Sequence, residues 1–171
     1  MVVPDPFIEA VADRLAALAG VRAIQLGGSR AAGTPTERSD WDLAIYYRGS
    51  FDADQVRALG WPGTVWETGG WTAPMMNGGA WLEVDGQRVD LHLRDLETID
   101  SLRVEAAVGR FAVYRSQYFI AGIPSYVPLA EIGTGSLLSG ELPTVDFPDA
   151  LRRSASEWWR REAEQQLGYV A

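Results

Sequence analysis

Two aspartates separated by a single residue stand directly before an apolar run in the first third of the chain. Asp40 and Asp42 flank Trp41 and open the segment 43–47. Side chains two residues apart on a strand point to the same face, so the two carboxylates repel each other unless a cation compensates them. Ten residues upstream ends a Gly27-Gly28-Ser29 turn, whose backbone N–H groups can hold a phosphate. A phosphate turn beside paired carboxylates is what metal-assisted phosphoryl or nucleotidyl transfer needs.

The elements that must position these residues follow from the hydrophobic pattern. Residues 21–26 predict a short strand that runs into the turn, and residues 41–47 predict a buried strand. On the second strand the bulky apolar residues share one face with Trp41, and the acids share the other face with Tyr46. Residues 30–38 predict a short helical turn followed by a loop.

A third acid belongs to the next pair of strands. Residues 80–84 and 87–94 predict a hairpin, because Asp85-Gly86 between two alternating runs is a strong two-residue turn signal. Asp85 falls in that turn and Asp95 looks like a helix cap, so Asp90 is the acid that lies in the middle of a strand. Asp90 shares its face with His92.

The remaining pattern is mainly helical. Asp5 caps a helix that Gly20 ends, and Asp95 caps a second long helix over 95–108. The other predicted elements are a short helix over 52–60, a strand near 64–67, a last strand over 111–115, and two helical segments near 126–138 and 148–167.

Composition sets the limits of the interpretation. The 171 residues carry a net charge of −8, which argues against a nucleic-acid backbone as the main partner and favours a cationic small molecule or a basic protein. The chain has no cysteine, which excludes disulfides and thiolate metal sites. No apolar run approaches a membrane span, and the first residues lack a signal-peptide pattern, so we expect no membrane association and a cytoplasmic location.

The motif residues resemble one family. In the nucleotidyltransferase superfamily of the DNA polymerase beta type, a hydrophobic residue, a glycine and a Gly or Ser precede an acid–hydrophobic–acid triplet, and a third acid follows on a later strand. Gly28-Ser29, Asp40-Trp41-Asp42 and Asp90 fit this motif. Residues 30–33 and 38–39 look like the small bacterial members, which include aminoglycoside nucleotidyltransferases and the nucleotidyltransferase half of toxin–antitoxin pairs. The resemblance covers residues 5–115.

The resemblance implies a fold and a division of the chain. The expected fold is α/β, more narrowly α+β: a mixed, mostly antiparallel twisted sheet with helices packed on one side. Residues 1–118 would form the catalytic domain. Residues 119–171 would form a short helical C-terminal region.

The resemblance also implies an activity and its residues. A nucleoside monophosphate would pass from a nucleoside triphosphate, ATP by first choice, to a hydroxyl group of a small acceptor such as an aminoglycoside. Two magnesium ions would be held by the catalytic acids Asp40, Asp42 and Asp90, and Asp90 would also take the acceptor's proton. The nucleotide would be bound by residues of the turn and of the loop after it, namely Gly28, Ser29, Arg30 and Ser39, with Arg30 or Arg38 against the outer phosphates.

Several alternatives stay open from the sequence alone. The chain could act chiefly as an antitoxin-like module that binds or modifies a partner protein, and exposed Trp158 and Trp159 would then form an interface or a dimer contact. It could also be a domain without activity, although three intact acids argue against that.

Three kinds of residue keep open roles. His92, the only histidine, could contact a phosphate or serve the structure. Glu67 and Glu83 are equal candidates for a separate general base. The tryptophans of the loop 61–81 could stack on a base or an acceptor ring.

Overall fold

The computed structural model describes residues 5–71, 73, 75–116 and 120–168. These residues form a six-stranded sheet, a two-stranded sheet and six helices. The helices are α1 (Pro6–Ala16), α2 (Gly28–Ala31), α3 (Asp54–Arg57), α4 (Leu96–Ala107), α5 (Val127–Thr134) and α6 (Asp149–Gly168). The strands are β1 (Val21–Leu26), β2 (Trp41–Tyr47), β3 (Gly63–Val65), β4 (Gly79–Val84), β5 (Gln87–Asp95), β6 (Val113–Tyr114), β7 (Ile123–Pro124) and β8 (Ser136–Gly140).

The large sheet is mixed and mostly antiparallel, as predicted. Its strand order is β3-β4-β5-β2-β1-β8. All neighbours are antiparallel except β2 and β5, which run parallel. The predicted hairpin is present, with Asp85 and Gly86 both at positive φ in its turn, the conformation that a two-residue hairpin turn requires.

One face of the sheet carries the main core. Trp41, Leu43 and Ile45 of β2 are buried there against Ile8 and Leu15 of α1. The side chain of Asp5 caps α1 by accepting a hydrogen bond from the N–H of Phe7 at 2.9 Å. These contacts confirm the alternation predicted for residues 41–47 and the predicted start of the first helix.

The opposite face is covered over only part of its length. Tyr46 of β2 lies in a second core with α4, α5 and α6, to which Ile99, Leu129 and Leu151 contribute. The helices therefore pack on both faces of the sheet, and the expectation of helices on one side was wrong. The stretch of this face that precedes Tyr46 carries Asp42, which is only partly buried.

The chain after residue 120 departs from the predicted helical texture. The helix expected near 126–138 ends at Thr134, and β8 follows and pairs with β1 at the edge of the large sheet. Gly135 makes this turn possible: its backbone is extended, and a Cβ there would lie 2.5 Å from the side chain of Gln25. The predicted strand 111–115 is the two-residue β6, which pairs with β7 and not with the large sheet.

The tandem tryptophans are packed within the fold. Trp159 is partly buried, and its Nε1 donates a hydrogen bond to the hydroxyl of Tyr126 at 2.7 Å. Trp158 lies edge-on to Phe111, with ring centroids 6.1 Å apart. The expectation that both tryptophans are exposed was wrong, because the segment around β6 and α5 covers them.

Two further predictions concern the whole chain. None of the helices in the described ranges combines the length and the hydropathy needed to cross a membrane. The boundary predicted between residues 118 and 119 falls outside the described residues, so the division into two domains stays a prediction.

A buried ion pair fixes α5 to the sheet. Arg94 of β5 is 1% exposed, and its Nε and Nη2 donate hydrogen bonds to Glu131 of α5 at 2.7 and 2.8 Å. Burial raises the pKa of Glu131, but the hydrogen bonds and charge of Arg94 outweigh it and hold that pKa below its usual range. Removing one partner would leave the other charge in the interior without compensation.

We therefore expect Glu131→Gln to lower the free energy of unfolding by about 2 to 3 kcal/mol at neutral pH, the low end for a buried pair because the Glu131 side chain is 34% exposed. Urea unfolding measures the change. Glu105→Gln, which breaks an exposed pair with Arg110, is the matched control and should change little.

Because the folded-state pKa of Glu131 is lowered, the stabilisation that Glu131 provides is present above the unfolded-state value of 4.5 and fades as the pH falls through the folded-state pKa. A difference between wild type and variant that grows in acid would contradict this account.

Candidate functional site

The parallel pairing of β2 and β5 brings the predicted acids together. Asp42 stands directly beside Asp90 in the register of these strands, on the same face of the sheet. Asp40 precedes β2 by one residue and acts on both of them electrostatically. The sheet therefore brings two carboxylates together from two non-consecutive strands, and the third acid lies just before one of these strands.

The carboxylates are poorly compensated by the chain. Burial first, and then the charge of Asp40, raise the pKa of Asp42, whereas Arg30 acts in the opposite direction. Burial, Asp40 and Asp42 in that order raise the pKa of Asp90, against the smaller effect of Arg88. Mutual repulsion of this kind marks a place where an added cation is favourable.

The glycine turn lies against one of these acids. The N–H of Gly27 donates a hydrogen bond to the carbonyl of Asp42 at 2.8 Å, and Gly28 starts α2 with a φ of +60°. A Cβ on Gly28 would lie 1.8 Å from Oδ2 of Asp42. No hydrogen bond among the described residues uses the N–H groups of Gly28 and Ser29, which stand in the first turn of a helix. A glycine is thus required here, and two donors stay free beside the carboxylate.

The loop between the turn and β2 is held by its own hydrogen bonds. Ser29 Oγ donates to Ser39 Oγ at 3.1 Å, and the N–H of Thr36 donates to the same oxygen at 2.9 Å. Arg30 donates from Nε to the carbonyl of Asp40 at 3.0 Å and from Nη2 to that of Ser39 at 2.7 Å. The guanidinium of Arg30 also lies 3.9 Å from the ring centroid of Trp41. Arg30 and Ser39 therefore position Asp40, and their binding of nucleotide stays a prediction.

Arg88 is a site residue that the sequence reading missed. Its Nη2 donates a hydrogen bond to the carbonyl of Arg38 and lies 3.9 Å from Oδ2 of Asp40. The sequence contains the information that would have identified Arg88, because it lies two residues before Asp90 on the same strand and so shares its face. Arg88 and Arg30 thus approach the loop before β2 from two sides.

A tryptophan adjoins the acids on the side away from the turn. Trp81 of β4 stands opposite Asp90 in the register and is 59% exposed. The ring of Trp66 meets it edge-on, with centroids 4.5 Å apart. Across this face the order is therefore the glycine turn, Asp42, Asp90 and Trp81.

The two candidate bases have different surroundings. Glu83 stands opposite Arg88 in the register of β4 and β5, exposed on the face that carries Asp90 and Trp81. Glu67 is paired with Arg57 at 2.5 Å. The choice that the sequence left open thus favours Glu83 as the group nearer the site.

A cavity of about 290 Å³ opens between the turn and α5. Gly28 and Asp42 line it together with His92, Glu131 and Thr134. Burial first, and then the charge of Arg94, lower the pKa of His92 to about 4, so its imidazole is neutral at physiological pH. A larger cavity of about 630 Å³ lies between α4 and α6, away from the carboxylates, and has no part in the site.

The donor set fits magnesium bound together with a substrate. In the described part of the chain, no group of three or more histidine, cysteine, aspartate or glutamate side chains is placed to hold a metal ion by itself. Magnesium does not need such a cage, because it is usually held by one or two carboxylates plus substrate phosphates and water. Asp42 and Asp90, side by side and mutually repelling, provide the protein's part of that set.

A comparison with family models agrees with this geometry. The model of the nucleotidyltransferase domain matches residues 8–111, well over half of the chain. The chain belongs to the nucleotidyltransferase family. A comparison with curated proteins finds no significant match. The matched range contains the turn and all three acids, whereas α5, β8 and α6 lie beyond it, and it confirms the resemblance read from the motif over residues 5–115.

The turn of this nucleotidyltransferase domain can be tested with two glycines. Gly28 and Gly33 both have positive φ, but nothing lies within 4 Å of a Cβ on Gly33. Gly28→Ala should push the Asp42 carboxylate aside and weaken magnesium-dependent binding of a non-hydrolysable ATP analogue at least about tenfold in calorimetric titration. Gly33→Ala carries the same kind of backbone strain, about 1 to 2 kcal/mol, and should bind normally. Equal binding of the ATP analogue by both variants would show that Gly28 takes no part in the nucleotide site.

Proposed function

We propose that this domain transfers a nucleoside monophosphate from a nucleoside triphosphate, ATP in the first instance, to a hydroxyl group of a small acceptor and releases pyrophosphate. Membership of the nucleotidyltransferase family supports the reaction class. The observation that carries the proposal is the register of β2 and β5, which places Asp42 and Asp90 side by side next to the Gly28 turn.

Each site residue has a task in this reaction. The N–H groups of Gly28 and Ser29 hold phosphate oxygens of the triphosphate. Asp40, Asp42 and Asp90 would hold two magnesium ions, whose charge would offset that of the triphosphate. Asp90 also accepts the proton of the acceptor hydroxyl. The freed oxygen attacks the α-phosphorus, and the bond from that phosphorus to the pyrophosphate oxygen breaks.

The acceptor side of the site is the side of Trp81. The turn lies on one side of Asp42, and Trp81 lies beyond Asp90, so an acceptor whose proton goes to Asp90 meets the indole. Glu83 and Asp40 add negative charge on this face against one cation, Arg88. A ring-shaped, cationic acceptor of the aminoglycoside kind suits an exposed aromatic face beside carboxylates.

The alternative role as an antitoxin-like module has no observation in its favour. It depended on exposed Trp158 and Trp159, and both pack against the fold. We therefore do not propose it as a second function.

The metal-binding acids are tested by three amide variants. Asp42→Asn should abolish magnesium-dependent binding of a non-hydrolysable ATP analogue, measured by calorimetric titration with and without magnesium. Asp90→Asn should lower pyrophosphate release at least about a hundredfold, because the acceptor loses its base. Asp85→Asn is the matched control: Asp85 lies in the hairpin turn at φ +49°, which asparagine adopts readily, and should leave both measurements unchanged. Magnesium-dependent binding that survives in Asp42→Asn would refute the assignment.

The acceptor side is tested by two tryptophan variants. Trp81→Ala should raise the KM for the acceptor about tenfold and leave the KM for ATP unchanged, because stacking is lost on one side only. The assay follows transfer of labelled AMP to a panel of aminoglycosides and neutral polyols. Trp61→Ala is the control, since Trp61 packs against Arg14 at 4.5 Å. A change confined to the KM for ATP would place Trp81 on the nucleotide side.

A further inference from the structure

The cavity beside Asp42 follows from the side chains in successive cross-strand rows of β2 and β5. Asp42 and Asp90 form one cross-strand row, and Ala44 and His92 form the next. The following row, which contains Tyr46 and Arg94, is packed beneath the helices. The side chain of Ala44 is small, so space remains above His92, between the carboxylates and the packed row.

Most polar groups around this cavity are already engaged. The amide of Gln25 donates to the carbonyl of Ile132 at 3.0 Å and accepts from the hydroxyl of Tyr46 at 2.8 Å. Thr134 Oγ1 donates to the carbonyl of Ala130 at 2.9 Å. Glu131 is held by Arg94, as described above.

Among the neutral polar side chains of the described lining, His92 is the exception. Its Nδ1 is buried and has no hydrogen-bond partner among the described residues. Such an atom costs about 1 to 3 kcal/mol if nothing pairs with it. Because His92 lines the cavity together with Gly28 and Asp42, a ligand that enters from the phosphate turn can supply the missing partner.

The charges of the residues that line the cavity restrict which chemical groups can bind in it. None of the described residues that line the cavity is a lysine or an arginine, whereas Asp42 and Glu131 are carboxylates. A phosphate is therefore disfavoured in the part of the cavity beside His92 and Glu131, away from the N–H groups of the turn, and a neutral, hydroxyl-bearing group is favoured there. In a nucleoside triphosphate that group is the sugar with its base.

We propose that the cavity receives the nucleoside part of the triphosphate and that His92 Nδ1 forms a hydrogen bond with a sugar hydroxyl. The inference rests on the proposed function, in which the phosphates lie at Gly28 and Asp42. It makes His92 a specificity-determining residue for ribonucleotides.

The test compares sugars rather than activity. Calorimetric titrations with magnesium use a non-hydrolysable ATP analogue, its 2′-deoxy and 3′-deoxy forms, and tripolyphosphate as a probe without a nucleoside. Wild type should bind the ribose form about tenfold more tightly than at least one deoxy form, the value of one hydrogen bond. His92→Leu should lose that preference. Tripolyphosphate should bind wild type and His92→Leu equally.

Two further variants keep the result interpretable. Thr134→Val removes a hydroxyl from the same wall that is already engaged, and it should keep the sugar preference. His92→Asn places an amide atom near the position of Nδ1 and should restore part of the preference, even if His92→Leu folds poorly.

Each other outcome overturns a distinct claim. A full sugar preference that persists in His92→Leu, or its absence in wild type that binds the ATP analogue, overturns the inference. A loss of tripolyphosphate affinity in His92→Leu places phosphate in the cavity and overturns it as well. If wild type binds none of the nucleotides with magnesium, the proposed function itself fails, and the inference fails with it.

Discussion

The parallel pairing of β2 with β5 is the constraint on which the site depends. Every other pair in the large sheet is antiparallel, and this one exception sets Asp42 beside Asp90 although α3, β3 and β4 lie between the two strands in the chain. Because register fixes which residues are neighbours, a shift by one residue would turn one acid to the opposite face. The apolar residues of β2 that fill the core on that opposite face therefore also hold the acids in place.

The C-terminal part of the chain gives the site its depth. The ion pair between Arg94 and Glu131 ties α5 to the row of the sheet just below His92, and β8 adds a strand beside β1. These contacts cover the sheet as far as Tyr46 and stop before Asp42. The family match ends at residue 111, so α4 belongs to the matched range, whereas α5, β8 and α6 lie beyond it. Glu131 and Thr134, which line the cavity beside Asp42, therefore come from the part of the chain beyond the match.

Local signals in the sequence predicted the parts of the fold that local forces determine. Short stretches of sequence were enough to predict one strand, one hairpin turn and the starts of two helices, and all are present. They are the alternating residues 41–47, the Asp85-Gly86 turn, and the caps at Asp5 and Asp95. The missing parts depend on contacts distant in sequence. The sequence of residues 136–140 does not reveal that one edge of β1 is free for pairing, so the helix predicted near 126–138 was extended into the first residues of β8. The hydrogen bonds of Arg30 to the backbone carbonyls of Ser39 and Asp40 could not be predicted either, because they form only once the loop is folded.

The excess of negative charge at the site makes the proposed reaction depend on cations that come from outside the chain. Three carboxylates and a triphosphate would share a space in which the nearest cations, Arg30 and Arg88, already bind backbone carbonyls of the loop 38–40. Repulsion between like charges grows as water is excluded, so the triphosphate alone is expected to bind poorly. Asp42 and Asp90 would hold divalent cations together with the phosphates, and the charge of those cations would offset this repulsion. If the proposed function holds, a site this negative would accept the nucleotide as a metal complex and would favour an acceptor that carries positive charge.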